Sequence, residues 1–239
     1  MHRTVLITGA AVRLGRAMAE TLARAGWDVV VHANRSATQA QELCARLAAL
    51  GGQAWHVAGD LLAADGPETA FEAALACAGH VDALVNNASQ FALQPLAAAK
   101  PSDFERLWRI NVLAPVRLTQ LLAAHLAARH ATGCVVNLLD QRIVHPNAGA
   151  IPYQLSKKAL EAFTLSAALE LAPALRVNAV APGAVLLPAA PASKEPAGTV
   201  PLKARPSAGQ VADAVRYLLE AQAVTGQILY VDGGQHLTS

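Results

Sequence analysis

Short apolar runs alternate with helical patterns along almost the whole chain, and this alternation constrains the fold more than any other feature. The first two runs are "RTVLIT" at residues 3–8 and "WDVVVHA" at 27–33, and a helical pattern that stops at Gly26 separates them. Strands separated by helices of this length form parallel βαβ units with right-handed crossovers. Later runs at 53–60, 81–85, 133–139, 175–180 and 227–234 predict five more strands. The alternation therefore predicts an α/β protein with a seven-stranded parallel sheet.

One stretch interrupts this alternation. Between residues 182 and 206 the chain carries six prolines with small residues between them. Such a density of proline disfavours a regular helix or a central strand. A long irregular segment inside a compact domain is typical of a lid over a binding site. Because only one helix and one strand follow, we predict a single domain over residues 1–239 with a substrate lid near 182–206.

The composition excludes several functional classes. Hydrophobic residues make up 54% of the chain and charged residues 15%, which fits closely packed helices and buried strands. The net charge of +2 and the lack of a basic run argue against a nucleic-acid surface. No apolar run reaches membrane-spanning length and no signal-peptide pattern precedes the first strand, so we predict a cytoplasmic protein. The spacing of Cys44, Cys77 and Cys134 predicts no metal site.

The turn "TGAAVRLG", at residues 8–15, joins the first strand to the first helix. Glycines at such a turn let the backbone approach a pyrophosphate, and the helix N-terminus supplies amide donors. Arg13 stands where a further glycine is usual, and a guanidinium there suits bidentate binding of an anion. A solvated arginine is the simpler alternative. The turn therefore predicts a dinucleotide site at the first crossover.

The second strand ends in "HANRSA", at residues 32–37, without the acid that usually binds the ribose 2′-hydroxyl of NAD. Arg35 and Ser36 suit a 2′-phosphate instead, which favours NADPH. The alternative is that Ser36 only caps the next helix while Arg35 is solvated. Asp60, after the third strand, suits the adenine amino group, or it caps its own loop.

Tyr153 and Lys157 share one face of a predicted helix, because they lie four positions apart. An ammonium beside a phenol favours the phenolate and lowers a pKa of about 10, which makes the phenol a better proton donor. Asp140 ends an apolar strand thirteen residues before the tyrosine. Asn111 interrupts a long helical pattern, where asparagine has a poor propensity, and this misfit indicates a structural or proton-relay role.

Taken together, these motifs resemble the short-chain dehydrogenase/reductase family across essentially the whole chain. The motifs are the glycine-rich turn, "NNA" at 86–88, Asn111, the Tyr153 and Lys157 pair, "PG" at 182–183 and the terminal "VDGG". The resemblance implies a Rossmann-type doubly wound domain with strand order 3-2-1-4-5-6-7, helices on both faces and a homotetramer. It implies that Tyr153 donates a proton, that Lys157 lowers its pKa and binds the nicotinamide ribose, and that Asn111 helps hold a relay water. The implied contacts to NADP(H) are Gly9, Arg13, Leu14, Gly15, His32, Arg35, Ser36, Asp60, Leu61, Asn87, Ala88, Ser89, Tyr153, Lys157, Pro182 and Gly183.

Three departures from the common pattern resemble the pteridine reductases of this family. Asp140 replaces a serine, Arg13 replaces the middle glycine, and "SQF" follows "NNA" without a third glycine. This resemblance implies an NADPH-dependent reductase of pterins or folates, in which Asp140 and Tyr153 form an acid–phenol pair suited to a ring C=N. The implied substrate contacts are Arg13, Ser89, Phe91, Asp140, Tyr153 and Leu186.

Two other functions stay open at this point. A carbonyl reductase, such as a 3-oxoacyl-thioester reductase, also fits Tyr153 and Lys157. A non-catalytic NADP-binding regulator is the third possibility, although the complete set of Tyr153, Lys157 and Asn111 argues against it. Phe91, predicted to stack on a flat pterin, is alternatively an ordinary core aromatic.

Overall fold

The computed structural model describes residues 2–146, 148–185 and 200–238. The strands within these residues are β1 (Thr4–Ile7), β2 (Asp28–Ala33), β3 (Ala54–Ala58), β4 (Ala83–Asn86), β5 (Gly133–Leu138), β6 (Leu175–Pro182) and β7 (Ile228–Val231). They form one sheet in the order β3-β2-β1-β4-β5-β6-β7, and every neighbouring pair is parallel. The predicted fold class and strand order are confirmed.

Helices cover both faces of the sheet, and they are α1 (Arg13–Arg24), α2 (Ala37–Ala48), α3 (Gly66–Ala78), α4 (Pro101–Trp108), α5 (Ala114–Ala128), α6 (Ile151–Glu170) and α7 (Ala208–Glu220). Successive strand residues face opposite sides of a sheet. Ile7 therefore packs in one core with Leu22 of α1 and Leu218 of α7, whereas Leu6 packs in a second core with Leu118 of α5. Because both faces are buried, the strands are apolar almost throughout rather than alternating.

The longest apolar helical segment runs over Pro101–Ala128 and contains α4, a π-helical turn at Arg109–Leu113, and α5. This segment is long and apolar enough to cross a membrane by length and hydropathy alone, so the expectation that no run reaches that length is wrong. A core helix of a soluble protein passes the same test. Here the segment packs against α3, α6 and two strands of the sheet.

The predicted lid is partly regular structure. Pro182 is the last residue of β6, and residues 200–206 form turns in which the Leu202 amide donates to the Gly233 carbonyl at 3.1 Å. The remainder of the lid, residues 186–199, lies outside the described residues, and so does Leu186, the predicted substrate contact.

The parallel arrangement brings the carboxyl ends of all seven strands to one edge of the sheet. Ligands bind in open α/β sheets at this edge, next to the point where the strand order reverses. Here the reversal lies between β1 and β4, and the segments that follow these two strands are the glycine-rich turn and "NNAS".

Candidate active site

The glycine-rich turn is packed too closely for side chains. Gly9 has a φ of +62°, in the left-handed region that favours glycine. A Cβ added to Gly15 would lie 2.3 Å from the Gly9 carbonyl oxygen and 2.9 Å from Asn87 Nδ2. Asn87 in turn donates from Nδ2 to the carbonyls of Thr8, at 2.8 Å, and Gly9, at 3.0 Å. Asn87, predicted to contact the cofactor, therefore also fixes the shape of the turn.

Arg13 is the first residue of α1 and has a φ of +55°, although it is not glycine. Bulky residues seldom adopt this conformation, and those that do cluster at functional sites. Its side chain is exposed and lines the main cleft. Arg13, where a further glycine is usual, therefore combines a backbone conformation that favours glycine with a guanidinium side chain.

His32 lies behind the turn. The side chain is buried, and its Nδ1 accepts a hydrogen bond from the Gly9 amide at 3.3 Å. Burial lowers the pKa of His32 to about 4, so the ring stays neutral and keeps a lone pair for Gly9. His32 borders the main cleft, but its observed role is to support the turn that was predicted to hold the cofactor.

Arg35 and Ser36 lie together at the start of α2 and line a cavity of about 310 Å³ with Gly9 and Asp60. Ser36 precedes the first helical residue, yet its hydroxyl makes no capping hydrogen bond. The alternative in which Ser36 only caps the helix is therefore not observed. Asp60 accepts from the Leu62 amide at 3.0 Å, so it does cap its own loop. Arg35 is exposed and no acidic residue ends β2.

A cleft of about 770 Å³ continues from this cavity along the edge of the sheet. It brings together most of the predicted site residues, namely Gly9, Arg13, Leu14, Gly15, His32, Asp60, Leu61, Asn87, Ala88, Ser89, Phe91, Asp140, Tyr153, Lys157, Pro182 and Gly183. The close-packed turn, the uncapped start of α2 and the two adjoining cavities, which share Gly9 and Asp60, fit a dinucleotide. Among the described residues no cluster of three His, Cys, Asp or Glu side chains could hold a metal ion.

Tyr153 and Asp140 are directly hydrogen bonded. The Tyr153 hydroxyl donates to Asp140 Oδ2 at 2.9 Å, and the Arg142 amide donates to Asp140 Oδ1, also at 2.9 Å. Burial, and then the neighbouring carboxylate, raise the pKa of Tyr153 well above its usual value of 10.0. The phenol is therefore protonated at neutral pH. The expected lowering of its pKa by Lys157 is not seen in this arrangement.

Lys157 lies deeper than the tyrosine. Its ammonium is buried, donates to the Leu138 carbonyl at 2.7 Å and lies 5.9 Å from the centroid of the Tyr153 ring. Burial lowers the pKa of Lys157 from 10.5 to about 8, although Asp140 opposes this shift. Lys157 thus pays a desolvation cost on folding, which is typical of a lysine placed for function.

Asn111 lies within the π-helical turn, and turns of this kind occur frequently at functional sites. Its Nδ2 donates to the Gln90 carbonyl and to Ser156 Oγ, and its Oδ1 accepts from Ser89 Oγ and the Gln90 amide. A side-chain amide has two donors and two acceptor positions. All four are used, so the Asn111 side chain joins α6 to the segment that follows β4. A relay water at Asn111 would have to use its main chain.

Phe91 is half exposed at the mouth of the cleft, so it is not a core aromatic. Its ring meets the Tyr153 ring edge-on, with centroids 4.8 Å apart. The Arg142 guanidinium lies 5.2 Å from the centroid of the Phe91 ring. Sequence reasoning did not select Arg142, although its position two residues after Asp140, at a strand end, was a usable signal. Gln90 and Arg205 also line the cleft and were not predicted; Gln90 lies in "SQF" between two predicted contacts, whereas Arg205 had no such signal.

Comparisons with known proteins identify reductases similar to this chain over nearly its whole length. The profile of the family described as short chain dehydrogenase matches residues 3–197. The chain is 35% identical to pteridine reductase 1 of Leishmania tarentolae over 277 residues, covering 98% of this chain and 96% of that protein. It is 34% identical over 242 residues to the putative ketoacyl reductase 2 of the granaticin polyketide synthase of Streptomyces violaceoruber, covering 97% and 95%. The structure of FolM alternative dihydrofolate reductase 1 from Brucella suis in complex with NADP matches with a TM-score of 0.92 and 34% identity, covering 99% and 96%.

The buried ammonium predicts how stability depends on pH. Above pH 8 the folded protein releases the Lys157 proton, while the unfolded chain retains it up to about 10.5, so stability rises with pH between these values. Relative to Lys157→Met, the free energy of unfolding of the wild type should increase by up to about 1.4 kcal/mol per pH unit in this window. Urea denaturation from pH 7 to 10.5 measures both curves. Lys158→Met, which changes an exposed neighbour, should follow the wild type. If the free energy of unfolding varied with pH in the same way for Lys157→Met and wild type, burial would not lower the pKa of Lys157.

Proposed function

Since the chain belongs to the short-chain dehydrogenase/reductase family of oxidoreductases, we propose that it is an NADPH-dependent reductase of pterins. Its substrates are dihydropterins, with dihydrofolate and fully oxidised pterins as further candidates. The observation that carries this proposal is the hydrogen bond from the Tyr153 hydroxyl to Asp140. The family resemblance places a serine hydroxyl at that position in most members. An acid–phenol pair changes which substrate the site can protonate.

The charge that develops during reduction distinguishes the two substrate classes. Reduction of a carbonyl group produces an alkoxide, and a carboxylate beside a developing alkoxide is repulsive. Reduction of a ring C=N produces a basic nitrogen that accepts a proton. A bound nicotinamide supplies the hydride. Tyr153, held protonated by burial, then gives its proton to the ring nitrogen, and Asp140 passes a proton from solvent back to the Tyr153 oxygen.

The remaining side chains of the cleft divide between cofactor and substrate. Arg13 and the turn around Gly9 and Gly15 hold the pyrophosphate, and Lys157 binds the nicotinamide ribose. The Ser89 hydroxyl donates a hydrogen bond to Asn111, so the lone pairs of the Ser89 oxygen accept from a donor on the substrate. A pterin lies against the edge of Phe91 or displaces Arg142 from its face.

NADPH is preferred over NADH in this proposal. The exposed guanidinium of Arg35 and the Ser36 hydroxyl, which makes no capping hydrogen bond, offer donors to a 2′-phosphate. No acidic residue at the end of β2 repels the phosphate. The complex of the Brucella suis relative with NADP supports the same choice.

A carbonyl reductase is the second candidate. Similarity to the putative ketoacyl reductase favours it, because the two chains match over nearly their whole lengths. Tyr153 and Lys157 serve both reactions equally. The two candidates therefore differ in what they require of residue 140, where this chain has an aspartate instead of the usual serine.

A homotetramer in the cytoplasm completes the proposal. Leu155, Leu165 and Leu169 are exposed on α6, and Trp108 and Leu113 are exposed on the long helical segment before it. Apolar side chains that remain exposed on neighbouring helices suit contacts between copies of a chain.

Substrate choice can be tested directly. Oxidation of NADPH, followed at its absorbance maximum, should occur with dihydrobiopterin or dihydrofolate and be much slower with an acetoacetyl thioester. Turnover with the thioester alone would replace the proposal with the carbonyl reductase. Tight binding of NADPH without turnover of any of the three would favour a regulator.

Asp140→Ser tests the acid–phenol pair. The serine retains the ability to cap the Arg142 amide, so the loop should keep its conformation. Loss of the carboxylate should lower kcat for dihydropterin about 100-fold, as expected for a proton-transfer group. The KM for NADPH should change less than about twofold, because Asp140 lies away from the 2′-phosphate site. Unchanged turnover would remove Asp140 from the mechanism.

Arg35→Ala tests the choice of cofactor. Loss of a charge-assisted hydrogen bond should raise the KM for NADPH about tenfold or more and leave the KM for NADH nearly unchanged. Arg46→Ala is the matched control, because Arg46 is exposed at the far end of the same helix. Equal changes for the two cofactors would mean that Arg35 does not contact the 2′-phosphate.

A further inference from the structure

We call residues 140–146, which begin with Asp140, the Asp140 loop. Side chains that take no part in the proposed reaction hold this loop on two sides. We propose that Gln154 and His145 are positioning residues, which hold the Asp140 loop so that the Asp140 carboxylate stays on the Tyr153 hydroxyl. The proposal rests on the proposed function for the identity of the substrate, while the contacts that carry it do not.

Gln154 holds the loop from the helix that carries the tyrosine. It follows Tyr153 directly in α6, and its side chain is 8% exposed. Its Nε2 donates to the carbonyl of Arg142 at 2.7 Å and also to the carbonyl of His145. Both donors of the amide are thus spent on the Asp140 loop. One residue of α6 presents the phenol, and the next fixes the loop that presents its partner.

His145 holds the other side of the loop against the C-terminal end of the chain. Its Nε2 lies 3.0 Å from the carbonyl oxygen of His236, and since a carbonyl only accepts, the ring nitrogen carries the proton. His236 is fixed by the buried Asp232, which accepts from its amide at 2.7 Å and from Nδ1 at 2.8 Å. The ring of His236 also stacks on Tyr230, with centroids 4.1 Å apart.

Asp232 belongs to the terminal "VDGG", and Gly183 belongs to "PG". A Cβ on Gly183 would lie 2.9 Å from Cα and Cβ of Asp232, so the two motifs pack directly on each other. The end of β6, the end of β7 and the Asp140 loop therefore form one connected unit at the edge of the cleft. A motif at the end of the chain thereby acts on the geometry of the reacting groups.

The link to Asp140 is short. Arg142 contributes its amide to Asp140 Oδ1 and its carbonyl to Gln154, so a shift of Arg142 moves the carboxylate. The other carboxylate oxygen then leaves Tyr153 Oη, which it meets at 2.9 Å. Misplacement of a catalytic group by about 1 Å lowers the rate by orders of magnitude without changing the binding of distant ligands.

Gln154→Glu is the most direct test. It preserves size but replaces the NH2 group, which supplies both donors, with one oxygen that faces two carbonyl oxygens. The kcat for dihydropterin should fall about tenfold or more, while the Kd for NADPH, measured by fluorescence, stays within about twofold. Amide hydrogen exchange of residues 141–145 should accelerate about tenfold, with the strands of the sheet unchanged. Gln222→Glu makes the same chemical change at an exposed site and should alter neither quantity.

Two further variants separate positioning from general stability. His145→Leu removes the contact with His236 and should accelerate exchange in the same loop, which covers the case in which Gln154→Glu does not fold. In the Asp140→Ser background, Gln154→Glu should lower kcat far less than it does alone, because the group that it positions is absent.

Exchange of residues 141–145 at the wild-type rate in both variants would overturn the proposal. Additive effects of Gln154→Glu and Asp140→Ser would overturn it as well. If wild-type enzyme reduces the acetoacetyl thioester and no pterin, the proposed function fails, and the exchange data and the kcat for the thioester still decide the role of Gln154.

Discussion

The hydrogen bond between Tyr153 and Asp140 depends on nearly every other element of the edge of the sheet. It joins the first turn of α6 to the segment that follows β5, and no local sequence interaction brings these two groups together. The parallel sheet places the end of β5 in the cleft, and α6 crosses behind it. Asn111 ties α6 to the "NNAS" loop through Ser156 and Ser89. The chemistry of the site is therefore a property of the assembled edge.

Burial and the charge of Asp140 act together on one ionisable group at this edge and against each other on another. Burial favours the neutral form of Lys157 and of Tyr153, and Asp140 opposes the first effect while adding to the second. The phenol is consequently kept protonated by its surroundings before any ligand arrives. A neutral histidine, His32, supports the glycine-rich turn for the same physical reason, since burial prevents it from taking up a proton.

The seven-stranded parallel sheet and its glycine-rich turn could be predicted from the chain, because apolar periodicity and short glycine motifs are local signals. The resemblance added the strand order and the roles of Tyr153 and Lys157. Partners from distant elements could not be predicted. Nothing in "HANRSA" indicates that His32 accepts from Gly9, and the π-helical turn around Asn111 follows from tertiary hydrogen bonds that override helix propensity.

A crystal structure of the protein with NADP and a dihydropterin tests the central claim most directly. The account predicts that the ring nitrogen of the C=N bond lies within about 3.2 Å of Tyr153 Oη, with the Asp140 carboxyl group still within hydrogen-bond distance of the same oxygen. A pterin bound with its carbonyl group on Tyr153 and its C=N bond turned away from Asp140 would contradict the account.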